Sequence, residues 1–411
     1  MTRLLIPEMF GVMAIATMVM VGLAMFSDVG LRQVIVQSTR GNDPAFLNTA
    51  WLIQIMRGAL ICLLALATSV LVVFANHIGM VPMDSVYAEP SLPYVIGVLS
   101  ATAIISSLES SKLLEASRTL SLGRITRIEI GAQLTGVVCM IAWVIIDRSI
   151  WALVAGSISS AVMRAFLSHV WLPGSANSWQ WDNAAFREII GFGKWIFVSS
   201  ILGFLVNNGD RLLLGGLINT TLLSLYVIAF FIFNTVEQIL TKIIGDVSFP
   251  ALSEVARERP ADLKFSYYRF HMVIASIAYF SSGVLMIAGD QLVRLLYDQR
   301  YSEAGWMLEI LAAALITVPF RIATQCFMVL GMPQLLSKII AIRLFTLFLI
   351  TPIAFHFFGL LGALWAIVLS HFSCLPPIIF YKVKYGLFNL RKELLLLPMV
   401  LLGMTVARVF A

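Results

Sequence analysis

Stretches of roughly 20 apolar residues follow one another along almost the whole chain, and this succession constrains the fold more than any motif does. A helix needs about 20 such residues to cross the hydrocarbon core of a bilayer. Composition agrees: 60% of the 411 residues are hydrophobic and 12% are charged, against about 25% charged in soluble domains. The mean hydropathy is +0.92. A soluble chain of this length would form two or three domains, but one this apolar cannot cover its own surface with polar groups.

Twelve spans are expected, near 9–26, 47–75, 92–110, 128–146, 150–171, 194–217, 222–245, 271–289, 305–330, 337–357, 359–381 and 394–410. The loops between them are short and their charges alternate. One side carries 17 Lys and Arg, including Arg32, Arg40, Lys112, Arg118, Lys194, Lys264, Lys338 and Lys382; the other carries 5. The positive-inside rule makes the basic side cytoplasmic and puts both ends of the chain outside. The opening Met1-Thr-Arg-Leu-Leu-Ile-Pro-Glu reads as the middle of a loop, so a preceding helix is expected to be missing.

Several chemistries are excluded. Cys62, Cys139, Cys326 and Cys374 are scattered among apolar residues, as buried free thiols would be. The five histidines form no metal-binding spacing, and there is no P-loop, nucleophile elbow or dinucleotide fingerprint. No catalytic residue, metal or cofactor is implied, and the net charge of +6 does not indicate nucleic acid, since membrane proteins hold Lys and Arg at one face.

A weak parallel repeat sets Arg3-Leu4-Leu5 beside Arg211-Leu212-Leu213, each ahead of a span that ends in Asp28-Val29 or Asp246-Val247. Arg3-Leu-Leu-Ile-Pro-Glu-Met-Phe-Gly11, Phe26-Ser-Asp-Val-Gly-Leu31 with Gln37, and Trp151-Ala-Leu-Val154 follow in order. After them come Phe192-Gly193, Asn207-Asn-Gly-Asp-Arg-Leu-Leu-Leu-Gly215, Tyr226 with Ala229, and Phe249-Pro-Ala-Leu-Ser253. Together they resemble the Wzx-type polysaccharide flippases of the multidrug/oligosaccharidyl-lipid/polysaccharide exporter superfamily. The resemblance covers nearly the whole chain. It implies an all-α polytopic membrane protein of two six-helix-type bundles related by pseudo-two-fold symmetry along the membrane normal, without the family's first and last helices. The expected organisation is an N-terminal bundle at 1–171, a cytoplasmic linker at 172–193, a C-terminal bundle at 194–381 and a trailing helix at 382–411.

Charged side chains deep in a membrane face a partner or a hydrated cavity, because insertion at a helix centre costs about 2.5–3.5 kcal/mol. Arg57, with Gln54 one turn earlier, and Arg321 lie midway along their spans and are expected to line a substrate cavity, together with Arg211 and Asn207. Paired guanidinium donors suit phosphate oxygens. Glu237 and Asp210 are candidates for ion coupling; the competing structural roles are pairing of Glu237 with Lys242 or another basic group, and a salt bridge of Asp210 to Arg211 or a loop cap. Arg164, Lys242 and Arg343 lie nearer the basic face, where snorkelling suffices. Pro319 should kink its span beside Arg321, and Pro376-Pro377 should break theirs near its inner end.

The expected activity is the flipping of lipid-linked oligosaccharide repeat units across the bacterial cytoplasmic membrane. The substrate would be a polyprenyl pyrophosphate glycan, and the partners membrane lipids, a glycan polymerase and glycosyltransferases. A drug or cation exporter of the same superfamily is the alternative, although it should favour acidic cavity residues. A membrane glycan polymerase or transferase would need a larger external region than loop 76–91 provides.

Overall fold

The computed structural model describes residues 5–410, apart from 29, 32, 33, 36, 37, 39, 42, 84, 119, 120, 175 and 176. Arg3, Leu4, Val29, Arg32 and Gln37 therefore lie outside the described residues, as do the side chains of Arg118, Phe192, Lys194, Asp246 and Pro250. The described residues are helical in every expected span and contain no strand.

The chain runs through α1 (Pro7–Phe26), α2 (Pro44–His77), α3 (Leu92–Ser107), the short α4 (Lys112–Arg118), α5 (Leu122–Ile146), α6 (Trp151–Val170) and α7 (Asn183–Leu217). It continues with α8 (Thr220–Ile243), a π-helical turn at Ile244–Ser248, α9 (Phe249–Glu258) and α10 (Leu263–Leu296). Then come α11 (Ala304–Ala312), a 3-10 stretch (Ala313–Phe320), α12 (Arg321–Val329), α13 (Pro333–Phe372), α14 (Leu375–Lys384), α15 (Leu390–Leu394) and α16 (Pro398–Phe410). Among the described residues, eight helical stretches are long and apolar enough to cross a membrane by length and composition.

Local sequence explains the helix starts. Asp43 accepts a hydrogen bond from the Ala45 amide with Pro44 in the first turn, and Asn219 caps α8 through the Leu222 amide. Both satisfy amides that a helix N-terminus leaves open. The breaks are equally local. α13 contains two arms separated at Gly359, whose φ of 61° and ψ of −150° are open in practice only to glycine. The arms then approach so closely that a Cβ on Gly362 would lie 2.4 Å from the Ala354 carbonyl oxygen. Pro319 lies within the 3-10 stretch, two residues before Arg321, where the α-helical ladder is interrupted as expected. Pro376 and Pro377 do not break a helix from within: α13 ends at Phe372, and the prolines occupy the first turn of α14.

Two compact units divide the chain, Met1–Asn208 and Gly209–Ala411, and the boundary falls inside α7. In the first, α2 packs on α3, α5 on α6, and α3 also contacts α1 and α6. Residues 183–193, read above as part of a linker, belong to α7. The segment before them is sewn to the first unit. Asn48 exchanges hydrogen bonds with Ser178 at 2.7 and 3.0 Å, Thr49 accepts from the Asp182 amide at 2.9 Å, and Asn177 bridges Ser110 and Ser111 at 2.8 and 2.7 Å. Arg40 joins Asp43 and Asp182 at 2.8 and 2.6 Å. Its guanidinium holds both carboxyls below the usual carboxylate range, and they in turn raise its own affinity for its proton.

In the second unit α10 packs on α16, α11 and the 3-10 stretch, and α8 packs on α11. The α10–α16 contact uses small residues as membrane helices do: a Cβ on Gly283 would sit 2.1 Å from the Val400 carbonyl oxygen. The trailing segment is thus packed within this unit. Large side chains with polar tips concentrate here, and Tyr226, Tyr267, Tyr268, Tyr279 and Tyr301 are fully buried. Outward faces are apolar instead, with Leu63 65% and Val70 67% exposed, as a helix bathed in lipid requires.

Candidate functional site

The Arg57 site belongs to the first unit. α2 brings Arg57 and Gln54 against α1 and the end of α3. Gln54 donates to the carbonyls of Ser106, Ser107 and Glu109 at 3.3, 3.0 and 3.2 Å, covering acceptors that a helix C-terminus leaves unpaired. Arg57 donates through Nη2 to the Ala24 carbonyl at 2.5 Å and through Nε to the Ser27 hydroxyl at 3.2 Å. Its Nη1 lies 3.6 Å from Asp28 Oδ1, too far for a hydrogen bond. The guanidinium is therefore anchored at one edge by the end of α1, while its Nη1 hydrogens are uncommitted among the described residues.

Arg57 lines a cavity of about 550 Å³. Arg57, Gln54, Asp28 and Glu109 supply its charged and polar groups, and Met20, Val21 and Ile61 its apolar wall. Gly58 makes the shape possible: a Cβ there would fall 2.2 Å from Ser107 Cβ, so α2 and α3 could not approach as they do. Asp28 and Glu109 were not among the site residues expected from the sequence. Asp28 stood in the Phe-Ser-Asp motif, but Glu109, at the end of α3, carried no signal. Glu109 Oε1 accepts no hydrogen bond among the described residues and is 3.6 Å from Arg164 Nε. Arg164 thus has carboxylate neighbours, Glu109 and Glu129, in addition to any snorkelling.

The Arg321 site belongs to the second unit and is built differently. Arg321 opens α12 and forms an ion pair with Glu237 of α8, while its Nη1 donates to Thr241 Oγ1 at 3.0 Å. Glu237, a candidate for ion coupling, thus has the basic partner named as its competing role, and that partner is Arg321. On α7, Asp210 is 5% exposed and accepts from the Tyr226 hydroxyl, so two motifs of the family resemblance meet. Arg211 lies over the Phe230 ring at 4.3 Å, a cation–π contact. Arg343 Nη2 lies 2.8 Å from Nε2 of the buried His371, a side-chain partner that snorkelling did not anticipate. Asn207 belongs to the first unit; it is exposed and donates to the Gly203 carbonyl on its own helix at 2.9 Å. No group of three or more His, Cys, Asp or Glu able to hold a metal occurs among the described residues.

The described residues thus form an all-helical membrane chain with ionic groups inside each unit and a partly polar cavity in the first. Residues 1–305 match the family model described as Polysaccharide biosynthesis protein, and the chain belongs to that family. It is 20% identical over 316 residues to the lipopolysaccharide biosynthesis protein WzxC of Escherichia coli (strain K12), covering 76% of this chain and 61% of that relative. The chain therefore matches less than two thirds of that relative's length. Among solved structures it is similar to an inward-facing multidrug resistance MATE family transporter of the MOP superfamily, with a TM-score of 0.72 and 14% identity over 93% of this chain and 91% of the other. It is also similar to the lipid II flippase MurJ in an inward closed conformation, with a TM-score of 0.66 and 11% identity over 98% and 91%. These neighbours are a transporter and a flippase, and this chain is a multi-pass membrane protein of their fold.

Proposed function

We propose that this chain flips lipid-linked oligosaccharide repeat units from the inner to the outer leaflet of the bacterial cytoplasmic membrane by alternating access, for the synthesis of exopolysaccharide, capsule or O-antigen. The observation that carries this reading is the Arg57 guanidinium at the wall of the cavity, anchored through Nε and Nη2 with its Nη1 outside hydrogen-bond range of Asp28. A pyrophosphate or an acidic sugar accepts charge-assisted hydrogen bonds from a guanidinium. The apolar wall beside it suits the first isoprene units of a polyprenyl tail. Arg321 and Arg211 extend the basic character to the second unit, and Gln54 and Asn207 supply amides. Glu237 and Asp210 remain the first-named candidates for ion coupling, each through the partner it would have to release. Membership of a polysaccharide biosynthesis family supports the same substrate class.

A second reading, a drug or cation exporter, draws on Asp28 and Glu109, whose carboxyl groups share the cavity with Arg57. The two are separated in vesicles that contain the purified chain. A polyprenyl-pyrophosphate oligosaccharide placed in one leaflet should reach the other, and Arg57→Ala should slow that transfer at least about tenfold, the loss of one charge-assisted contact. Transport of a cationic dye with no movement of the lipid-linked glycan would reverse the order of the two readings.

A further inference from the structure

The second unit holds a buried ionic cluster that anion recognition leaves unused. Lys382 of α14 is 0% exposed, and its ammonium pairs with the Glu393 carboxylate of α15. Tyr268 donates to the same Glu393 oxygen, Oε1, at 2.6 Å. The other oxygen, Oε2, makes no hydrogen bond among the described residues and lies 3.5 Å from His271 Nε2, which makes none either. Across the ring, His271 Nδ1 has two neighbours of opposite demand. The Tyr267 hydroxyl, 3.2 Å away, already accepts from Lys382 at 2.8 Å and so has its own proton to donate. The Pro319 carbonyl, 3.3 Å away, can only accept.

These neighbours distinguish the protonation states of the ring. In the neutral form, Nδ1 accepts from Tyr267 and the ring proton sits on Nε2, facing Glu393 Oε2. When a second proton adds to Nδ1, that atom becomes a donor. Tyr267 loses its acceptor, the Pro319 carbonyl becomes the partner, and the contact with Glu393 becomes an ion pair. Lys382 and Glu393 cancel in charge, so uptake takes the cluster from neutral to one positive charge. The titratable and charged groups around the ring are Tyr267, Tyr268 and Tyr279 on α10, Lys382 on α14, Glu393 on α15 and Cys326 on α12. The 3-10 stretch presents the Pro319 carbonyl and the Phe320 ring. Pro319 lies two residues before Arg321, so a change of partner at its carbonyl acts on the backbone that positions the Arg321–Glu237 pair.

We propose that His271 and Glu393 form a proton-binding site of this transporter, whose occupancy is conveyed through the Pro319 carbonyl to Arg321. The coupling rests on the transport reading above; the proton site does not. The test uses the full chain labelled with 15N-histidine in lipid nanodiscs, titrated from about pH 3 to about pH 9, because burial disfavours the charged ring. One of the five histidines should pass from the Nε2–H tautomer to imidazolium. Tyr267→Phe, which keeps the ring volume, should move that signal alone toward the Nδ1–H tautomer, and Glu393→Gln should shift its transition to lower pH. A Tyr267→Phe protein with all five histidine signals unchanged would overturn the site. So would a transition indifferent to Glu393→Gln. In vesicles, His271→Gln should retain exchange of glycan between leaflets at equal pH and lose its response to a pH gradient; an undiminished response would overturn the coupling. If the wild-type chain shows the titration but moves no lipid-linked glycan, the transport reading falls while the proton site stands.

Discussion

Arg57 and Arg321 both lie midway along apolar runs of the sequence, and from the sequence they look alike. Their surroundings differ. Arg57 is held by a backbone carbonyl and a hydroxyl, with Asp28 out of hydrogen-bond range and 27% exposed beside an open cavity. Arg321 is joined directly to Glu237, whose side chain is 10% exposed. The first guanidinium has donors to offer and an acid that is partly hydrated. The second is committed, and removing it would strand a carboxylate among apolar helices. One residue type is thus met by a carbonyl, a hydroxyl and a cavity in one unit and by a carboxylate in the other.

Substitutions can break or sharpen this contrast. The largest loss of folded protein is expected from Arg321→Ala, which leaves Glu237 without its cation; stranding a buried charge costs about 3 kcal/mol or more. Membrane abundance and thermal unfolding in detergent should both fall, and a second change, Glu237→Gln, should recover most of the loss. Equal abundance of Arg321→Ala and wild type would remove the structural half of the contrast.

Gly58→Leu comes next. Its side chain would meet Ser107 and the Ala103 carbonyl, and forcing a bulky group between packed helices costs about 1–3 kcal/mol. The midpoint of thermal unfolding should drop, and labelling of a cysteine introduced at Thr102, on the cavity wall, should change in rate as α2 and α3 separate.

Arg57→Ala should lower stability by only about 1 kcal/mol, since its ion pair is partly exposed, yet it should reduce glycan export most among these changes at matched abundance. Arg57→Lys should restore export in part, because the charge returns without the planar fork. Export by Arg57→Ala equal to that of wild type would remove the recognition half.

The smallest effect is expected at the surface cluster of Arg40, Asp43 and Asp182. Both carboxyls are held below their ordinary range. Their contribution is therefore fully present above the unfolded carboxylate value, about 3.9, and is lost as pH falls through the still lower folded value. Unfolding midpoints of wild type and Arg40→Met should differ slightly near neutrality and converge in strong acid, where both carboxyls are protonated. A difference that grows as pH falls would contradict this origin.

Much of the helical framework was legible in the sequence because span length and apolarity are local properties. Helices lie where the twelve apolar runs predicted them, and the Pro319 interruption falls where the ring removes a donor. Boundaries were less legible. α7 begins at Asn183 rather than near 194 because its first turns, Asn183-Ala-Ala-Phe-Arg-Glu, are helical yet too polar to register as a span. The site was legible only in part. Arg57, Arg321, Gln54 and Asp210 stood out as polar residues among apolar ones, but Glu109 and the Lys382–Glu393–His271 cluster did not. Lys382 and Glu393 sit in a basic segment that reads as a solvated loop, and His271 is 122 positions from Glu393.

The sequence by itself determined that this chain must be a bundle of membrane helices, since backbone amides in lipid have no partners but their own helix and the apolar runs leave no other solvent. It also determined which side chains would be expensive to place there. Only the tertiary structure decided how each of those charges is met: a carboxylate for Arg321, a carbonyl, a hydroxyl and a cavity for Arg57, and a dry ring of tyrosine, lysine and glutamate around His271. The physical reason is range. Hydrophobic transfer acts residue by residue along the chain, whereas ion pairing needs groups within about 4 Å, and which distant residues come that close is settled by how the helices pack.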